Sequence, residues 1–218
     1  MKLHIITIFP EAFESYLSTS IAKNAIQKCF LQINLYKLNN FSYDNLKRVD
    51  DKSYGMHGQL IKADILRRAI EYIFAQVGKK LKIVYMSPSG DLLNQEKVEK
   101  YFNILDEEII IICGHYEGID QRIIDLYEIY ELSIGEYVIT SGELARQVFI
   151  DSLVRLVPGV INSEISHEEE SFSKKLNRQK EYPQYTAPQD FMGIGVPDVL
   201  ISGNHKAIEK WKNNNLKK

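Results

Sequence analysis

The run Glu108-Ile109-Ile110-Ile111-Ile112-Cys113 constrains the fold more than any other stretch of this chain. Four consecutive isoleucines leave no polar side to turn towards water, so a strand made of them must be covered on both faces. Their branched Cβ atoms favour the pleated conformation over the helix. A strand of that kind belongs inside a mostly parallel sheet with helices packed on it. Residues 2–8 form a second apolar run ended by Pro10, and residues 82–86 (KIVYM) a third. Residues 31–38 (LQINLYKL) alternate apolar and polar side chains, as a half-buried strand does. Helical patterns fall between these runs, at residues 11–17, 21–29, 95–105 and 119–126. Residues 60–77 carry Ile61, Ile65, Leu66, Ala69 and Ile73 at helical spacing. Residues 143–156 read as a strong amphipathic helix with Leu144, Val148, Ile150 and Leu153 as its apolar stripe and Val157 just past its end. The alternation of strands and helices makes the expected class α/β.

The rest of the chain is of a different kind. Residues 161–181 are polar and read as a linker, and residues 182–218 are too few for a core of their own, so they are expected to pack as an appendage ending in a helix from about residue 205 to 214. Net charge is −2, but residues 1–170 carry −7 and residues 171–218 carry +5. A basic segment of this kind suits contact with phosphates, and equally a solvated helical tail.

Several classes are excluded. Cys29 and Cys113 are the only cysteines, which argues against a disulfide scaffold and a Cys-rich zinc site. The histidines, at 4, 57, 115, 167 and 205, have no metal-ligand spacing, and no metal site is assigned. His4 lies within a strand and reads as structural. No run reaches the ~18 apolar residues of a membrane span. The N-terminus turns charged too soon for a signal peptide, so a cytoplasmic setting is expected. Dinucleotide, P-loop, zincin and nucleophile-elbow motifs are all missing.

In parallel sheets ligands bind beyond the carboxyl ends of the strands. Three such ends run into small or turn-forming residues. They are Ser87-Pro88-Ser89-Gly90, Gly114-His115-Tyr116-Glu117-Gly118, and the stretch from Ser133-Ile134-Gly135 through Ser141 to Gly142. Glycine lets backbone approach a ligand closely. Three such loops together would make a pocket whose backbone amides and carbonyls read an adenine-like ring.

The segments IITIFPEAF (5–13), VDDKSYG (49–55), ICGHYEGIDQR (112–122), SIGEYVITSGEL (133–144), IDSLVRLVPGV (150–160), EYPQYTAP (181–188) and VLISGNHKAIEKW (199–211) occur in one order along the chain. In that order they resemble the bacterial tRNA (guanine-N1)-methyltransferases of the SPOUT class. The resemblance implies a deep trefoil knot, which sequence patterning alone would never suggest because true knots are rare. It implies S-adenosylmethionine as cofactor, held by the backbone around Met86, Pro88 and Gly114 and by Ile134, Gly135, Glu136, Tyr137, Val138 and Ile139. Tyr116 and Glu117 would complete the pocket, and Gly142 would allow close approach. It implies a tRNA substrate, methylated on N1 of the guanosine just 3′ of the anticodon, and an antiparallel homodimer whose active sites take residues from both chains. The organisation implied is a knotted cofactor-binding domain at 1–160, a linker at 161–181 carrying the base, and a short tRNA-contacting region at 182–218.

Read alone, Arg155 is a surface ion-pair residue and Glu170 part of a solvated acidic linker. The resemblance gives both a role in catalysis. Guanine N1 is protonated and a poor nucleophile, so a base must take its proton while a cation stabilises the charge that develops at O6. Glu170 matches the family's base, an Asp, and Arg155 matches its cation. Glu168 and Glu169 offer neighbouring carboxylates that could raise the pKa of the base or replace it. Two further departures stand out. The family's glycine-rich stretch is shortened to Gly55-Met56-His57-Gly58-Gln59, and the family's Arg in Tyr-Thr-Arg-Pro is Ala187. His115 reads either as a titrating group beside the pocket or as a turn residue. Magnesium is expected only as an activator without assigned ligands. The competing readings are a knotted homologue that binds cofactor or RNA with little methyl transfer, and a small-molecule α/β enzyme unrelated to RNA.

Overall fold

The computed structural model describes residues 1–55, 57–105, 107–161 and 169–217. The chain divides into two compact units, Met1–Ile161 and Asn162–Lys218.

The first unit is an α/β layer structure. Its strands are β1 (Lys2–Thr7), β2 (Gln32–Lys37), β5 (Lys82–Leu92), β6 (Glu108–Ile112) and β7 (Tyr130–Ser133), in the sheet order β2-β1-β6-β5-β7. Every adjacent pair is parallel. The isoleucine strand β6 is central, with Ile111 opposite Ile5 on one side and Val84 on the other. Successive side chains of a strand point to opposite faces, and the two cores follow that rule. Leu3, Ile5, Val84, Ile109 and Ile111 join one apolar cluster. Ile6, Ile83, Ile110 and Ile112 join the other. The first cluster is covered by α2 (Ser20–Gln27), α4 (Gln95–Ile104) and α6 (Gly142–Val154), the second by α3 (Ala63–Val77) and α5 (Gln121–Tyr127). The N-terminal helix is split into a 3-10 turn at Pro10–Phe13 and α1 (Glu14–Leu17). His4 is buried and bonds to Tyr36 and Glu108, a structural role.

Three expectations need correction. Residues 60 and 61 are not the start of a helix. They belong to β4 (Gln59–Ile61), antiparallel to β3 (Asp50–Lys52), and α3 begins only at Ala63. Ile61 lies at helical spacing from Ile65 and both are buried, so periodicity does not separate them. Lys62 is extended, and its amide donates to the carbonyl of Val49.

Strand β5 does not stop at Met86. Leu132 of β7 faces both Met86 and Asp91, so residues 87–90 form an excursion within one strand. Gly90 makes this possible. A Cβ there would sit 2.5 Å from the amide nitrogen of Leu132 and 2.6 Å from the carbonyl carbon of Glu131. Both are backbone atoms, which cannot step aside.

Helix α6 also faces differently from the expected stripe. Leu144 and Val148 are 56% and 54% exposed, whereas Glu143 and Arg146 are buried with Ala145, Phe149, Ile150, Leu153 and Val154. Both sides of this helix are apolar, and periodicity cannot say which one meets the sheet.

The second unit contains a hairpin of β8 (Asp190–Phe191) and β9 (Ile194–Gly195), then α7 (Asp198–Ile201) and α8 (His205–Asn214). Tyr182 and Tyr185 each set an aromatic edge against Trp211 of α8. No helix of the described residues is long and apolar enough to cross a membrane.

Candidate active site

The excursion within β5 and the carboxyl ends of β6 and β7 open onto one cleft of about 350 Å³, lined by residues 85–89, 114–118, 132–135, 137–142 and Ala145. The three loops singled out from the sequence therefore converge. Met86, Pro88, Gly114, Tyr116, Glu117, Ile134, Gly135, Tyr137, Val138, Ile139 and Gly142 all line the cleft. Glu136 is exposed and stands outside that lining.

The floor is a backbone crossing. The amide of Gly142, the first residue of α6, donates to the carbonyl of Gly114 at 3.2 Å. A Cβ on Gly142 would lie 2.8 Å from that oxygen and 3.1 Å from the nitrogen of Gly114. Arg146 runs beneath the crossing. It is fully buried, its Nε donates to the carbonyl of Ile112 at 2.7 Å, and its Nη2 lies 2.6 Å from where that Cβ would be. Neither Nη has a hydrogen-bond partner among the described residues. Nearby, the Thr7 hydroxyl donates to Glu143 at 2.8 Å. Burial pushes the Cys113 thiol up to about 12, which makes it a poor nucleophile at neutral pH.

Tyr85 was not anticipated, because within KIVYM it reads as an ordinary core residue. Its ring packs under Gly114, where a Cβ would come within 2.7 Å of it. Ser87, Ser89, Ser133, Thr140 and Ser141 also line the cleft. All five fall within the loops that the sequence singles out, at 87–90 and 133–142.

The rim is strapped to the hairpin of β3 and β4. The Glu117 amide donates to the carbonyl of Gln59, and the Ile61 amide to that of Gly118, each at 3.0 Å. Tyr116 adopts a left-handed backbone, φ 59°. Burial raises its phenol pKa, and Asp50 adds to that. A second cleft, about 530 Å³, is lined by Lys52, Ser53, His57, Gly58, Gln59, Tyr116 and Glu117. Tyr116 and Glu117 belong to both clefts, so His57–Gln59 border the first cleft. The His115 ring packs between Phe9 and Tyr116, with centroids 5.2 and 5.3 Å away.

Of the two proposed catalytic residues, one belongs to each unit. Arg155 caps the far end of α6, about 20 Å along the helix from Gly142 at 1.5 Å per residue. It does not line the cleft of its own chain. Glu170 lies in the second unit, where its carbonyl accepts from the Ser173 amide at 3.1 Å. Glu168 lies outside the described residues. Glu169 is committed to ion pairs with Lys175 at 2.8 Å and Lys212 at 3.0 Å, which hold its carboxyl at about 2. So low a pKa makes it a poor general base.

The same ion pairs set a pH dependence. A carboxyl whose folded pKa is depressed stabilises the fold above its unfolded pKa and loses that contribution as pH falls through the folded value. We expect Glu169→Gln to flatten the acid dependence of stability between about pH 4.5 and 2, measured by denaturant titration at stepped pH. The effect is small, because the pair is partly exposed and screened.

The family described as tRNA (Guanine-1)-methyltransferase TrmD matches residues 1–218. The tRNA (guanine-N(1)-)-methyltransferase of Clostridioides difficile (strain 630) is 44% identical over 214 residues, covering 97% of this chain and 90% of the relative. That of Borreliella burgdorferi (strain ATCC 35210 / DSM 4680 / CIP 102532 / B31) is 47% identical over 213 residues, covering 97% and 86%. Among solved structures, the tRNA (m1G37) methyltransferase from Aquifex aeolicus superposes with a TM-score of 0.79 at 32% identity, covering 98% of this chain and 88% of its own. With a parallel sheet of this kind and a glycine-crossed cleft at the strand ends, the chain belongs to the tRNA (guanine-1)-methyltransferase family.

Proposed function

We propose that this protein transfers a methyl group from S-adenosylmethionine to N1 of guanine in tRNA, at the guanosine immediately 3′ of the anticodon, position 37. The observation that carries the reading is the convergence of three glycine loops on one cleft in a chain of this family. The residues suit the cofactor. Leu132, Ile134, Val138 and Ile139 supply apolar walls for an adenine ring, while the crossing of Gly114 and Gly142 leaves backbone where side chains would fill the space. We assign the knot to the segments that meet there and at Gly90. When bound, the cofactor supplies an electrophilic methyl group on a sulfonium sulfur.

The chain's own residues handle charge and protons. Glu170 accepts the N1 proton as the N1–methyl bond forms and the sulfur–methyl bond breaks. Arg155 stabilises the negative charge that develops at O6. The cleft bounded by His57–Gln59 and shared at Tyr116 and Glu117 is where the base would enter. Magnesium enters this reading only as an activator to which no ligands are assigned. A tRNA substrate puts the reaction in the cytoplasm, with no membrane partner.

A homodimer completes the site. Arg155 sits a helix length from the cleft of its own chain, so each site would take this cation from the other copy. Exposed Tyr137, Val138, Leu144 and Val148 offer the apolar surface for that contact. Leu144→Glu with Val148→Glu should convert the protein to monomer in sedimentation velocity and lower methyl transfer at least about tenfold. A dimer that persists in the double variant would place the interface elsewhere. The proposed chemistry is tested by digesting tRNA treated with enzyme and cofactor. The expected product nucleoside is 1-methylguanosine. Its absence while cofactor binding is retained would leave a binding protein.

A further inference from the structure

The proposed base stands in a segment whose composition reads as a linker, yet the described part of that segment is tied down on both sides of Glu170. On the N-terminal side, Glu169 accepts from Lys175 Nζ on Oε1 at 2.8 Å and from Lys212 Nζ on Oε2 at 3.0 Å. Lys212 belongs to α8, and its ammonium also stands 4.9 Å from the centre of the Tyr182 ring. Tyr182 in turn sets its edge against Trp211, the neighbour of Lys212 on the same helix. On the C-terminal side, the Ser173 amide donates to the Glu170 carbonyl at 3.1 Å. The Glu181 amide donates to Ser171 Oγ at 3.1 Å, and the Phe172 amide to the Gln179 carbonyl at 2.8 Å. Ser173 and Leu176 are buried beneath this turn.

We propose that the Glu169–Lys212 ion pair is a positioning device for the methyl-transfer reaction, fixing the backbone on which Glu170 presents its carboxylate. The inference rests on reading Glu170 as the base. Glu169 and Lys212 touch neither substrate nor cofactor in this account. They act by tying residue 170 to a helix one turn of which also packs Tyr182. A partly exposed ion pair of this kind adds little to global stability. Catalysis is far more sensitive, because a misplacement of about 1 Å in a reacting group costs on the order of 10²-fold in rate. The extra methylene of Glu over Asp makes a fixed backbone more important here, since a longer side chain has more rotamers to lose. The signature of the device is therefore a loss of rate without a loss of fold or of tRNA affinity.

The test is a set of full-length variants in single-turnover methyl transfer, with tRNA and S-adenosylmethionine both saturating. Glu169→Gln and Lys212→Met should each slow the step by roughly 10-fold or more. The double variant should be no slower than either single one, because both remove the same tie. Lys212→Arg, which keeps the charge, should stay within about twofold of the parent. The tRNA dissociation constant and the melting temperature should be nearly unchanged in all four. Parent-like rates in the single variants would overturn the proposal. So would losses that multiply in the double variant, or a loss confined to tRNA affinity, which would make Lys212 a phosphate contact. Glu170→Gln run beside them separates the two claims. If it is as active as the parent, the base assignment itself fails and with it the positioning role. If it is inactive while the Glu169 and Lys212 variants are not, only the positioning role fails.

Discussion

Glu170→Gln should lower the rate of methyl transfer by about 10²–10⁴-fold, the usual contribution of a general base. The substitution keeps the size and polarity of the side chain but removes the group that accepts the N1 proton. Glu170 lies in the second unit, and in the proposed reaction it acts on the guanine and not on the cofactor. Its replacement should therefore leave S-adenosylmethionine affinity within about twofold by calorimetry, as expected of an interaction made only in the transition state. Glu170→Asp, which restores the family's residue, should keep most of the activity, since the carboxylate is retained and the shorter side chain needs only a small shift. A Glu170→Gln enzyme with parent rate would move the base elsewhere. Glu169 would be a poor substitute, because two lysines hold its carboxyl at about 2 and make it too weak a base.

Gly142→Ala should strongly weaken cofactor binding. The new methyl group would stand 2.8 Å from the carbonyl oxygen of Gly114 and 3.1 Å from its nitrogen. The guanidinium of Arg146 can shift, but those backbone atoms cannot without displacing the end of β6. Overpacking of this sort costs about 1–3 kcal/mol of stability. The local cost falls on the Gly114–Gly142 hydrogen bond, which forms the floor of the cleft. We expect affinity to fall by at least about 100-fold, with a smaller loss in the denaturation midpoint. Unchanged binding in the Gly142→Ala protein would mean that the crossing does not shape the cofactor site.

Much of this architecture was legible in the sequence, for physical reasons that differ from place to place. Ile109–Ile112 announced a strand buried on both faces because four adjacent β-branched side chains favour the pleated conformation and leave no polar face. The glycine loops were legible because a parallel strand must end in a turn on the ligand side of the sheet, and Gly114 and Gly142 do meet there. Periodicity failed on α6. Leu144 and Val148 keep helical spacing, but the helix turns Glu143 and Arg146 inwards instead. Glu143 accepts from Thr7 and Arg146 donates to the Ile112 carbonyl, long-range links that no spacing of apolar residues announces. Nor does any local pattern reveal that Gly90 lies against the backbone of β7, forty residues on, because close approach depends on threading rather than composition. The stretch around Glu169 reads as a linker since it lacks apolar residues. Its order comes from ion pairs and aromatic edges contributed by residues beyond it, Tyr182 and Lys212 among them.

The most direct test of the central claim uses two matched tRNA transcripts, one with guanosine 3′ of the anticodon and one in which that nucleotide alone is changed. Each is incubated with the protein and S-adenosylmethionine labelled in its methyl group. We predict transfer of label to the first transcript only. Equal labelling of both, or no labelling of either by a protein that still binds the cofactor, would contradict the assignment.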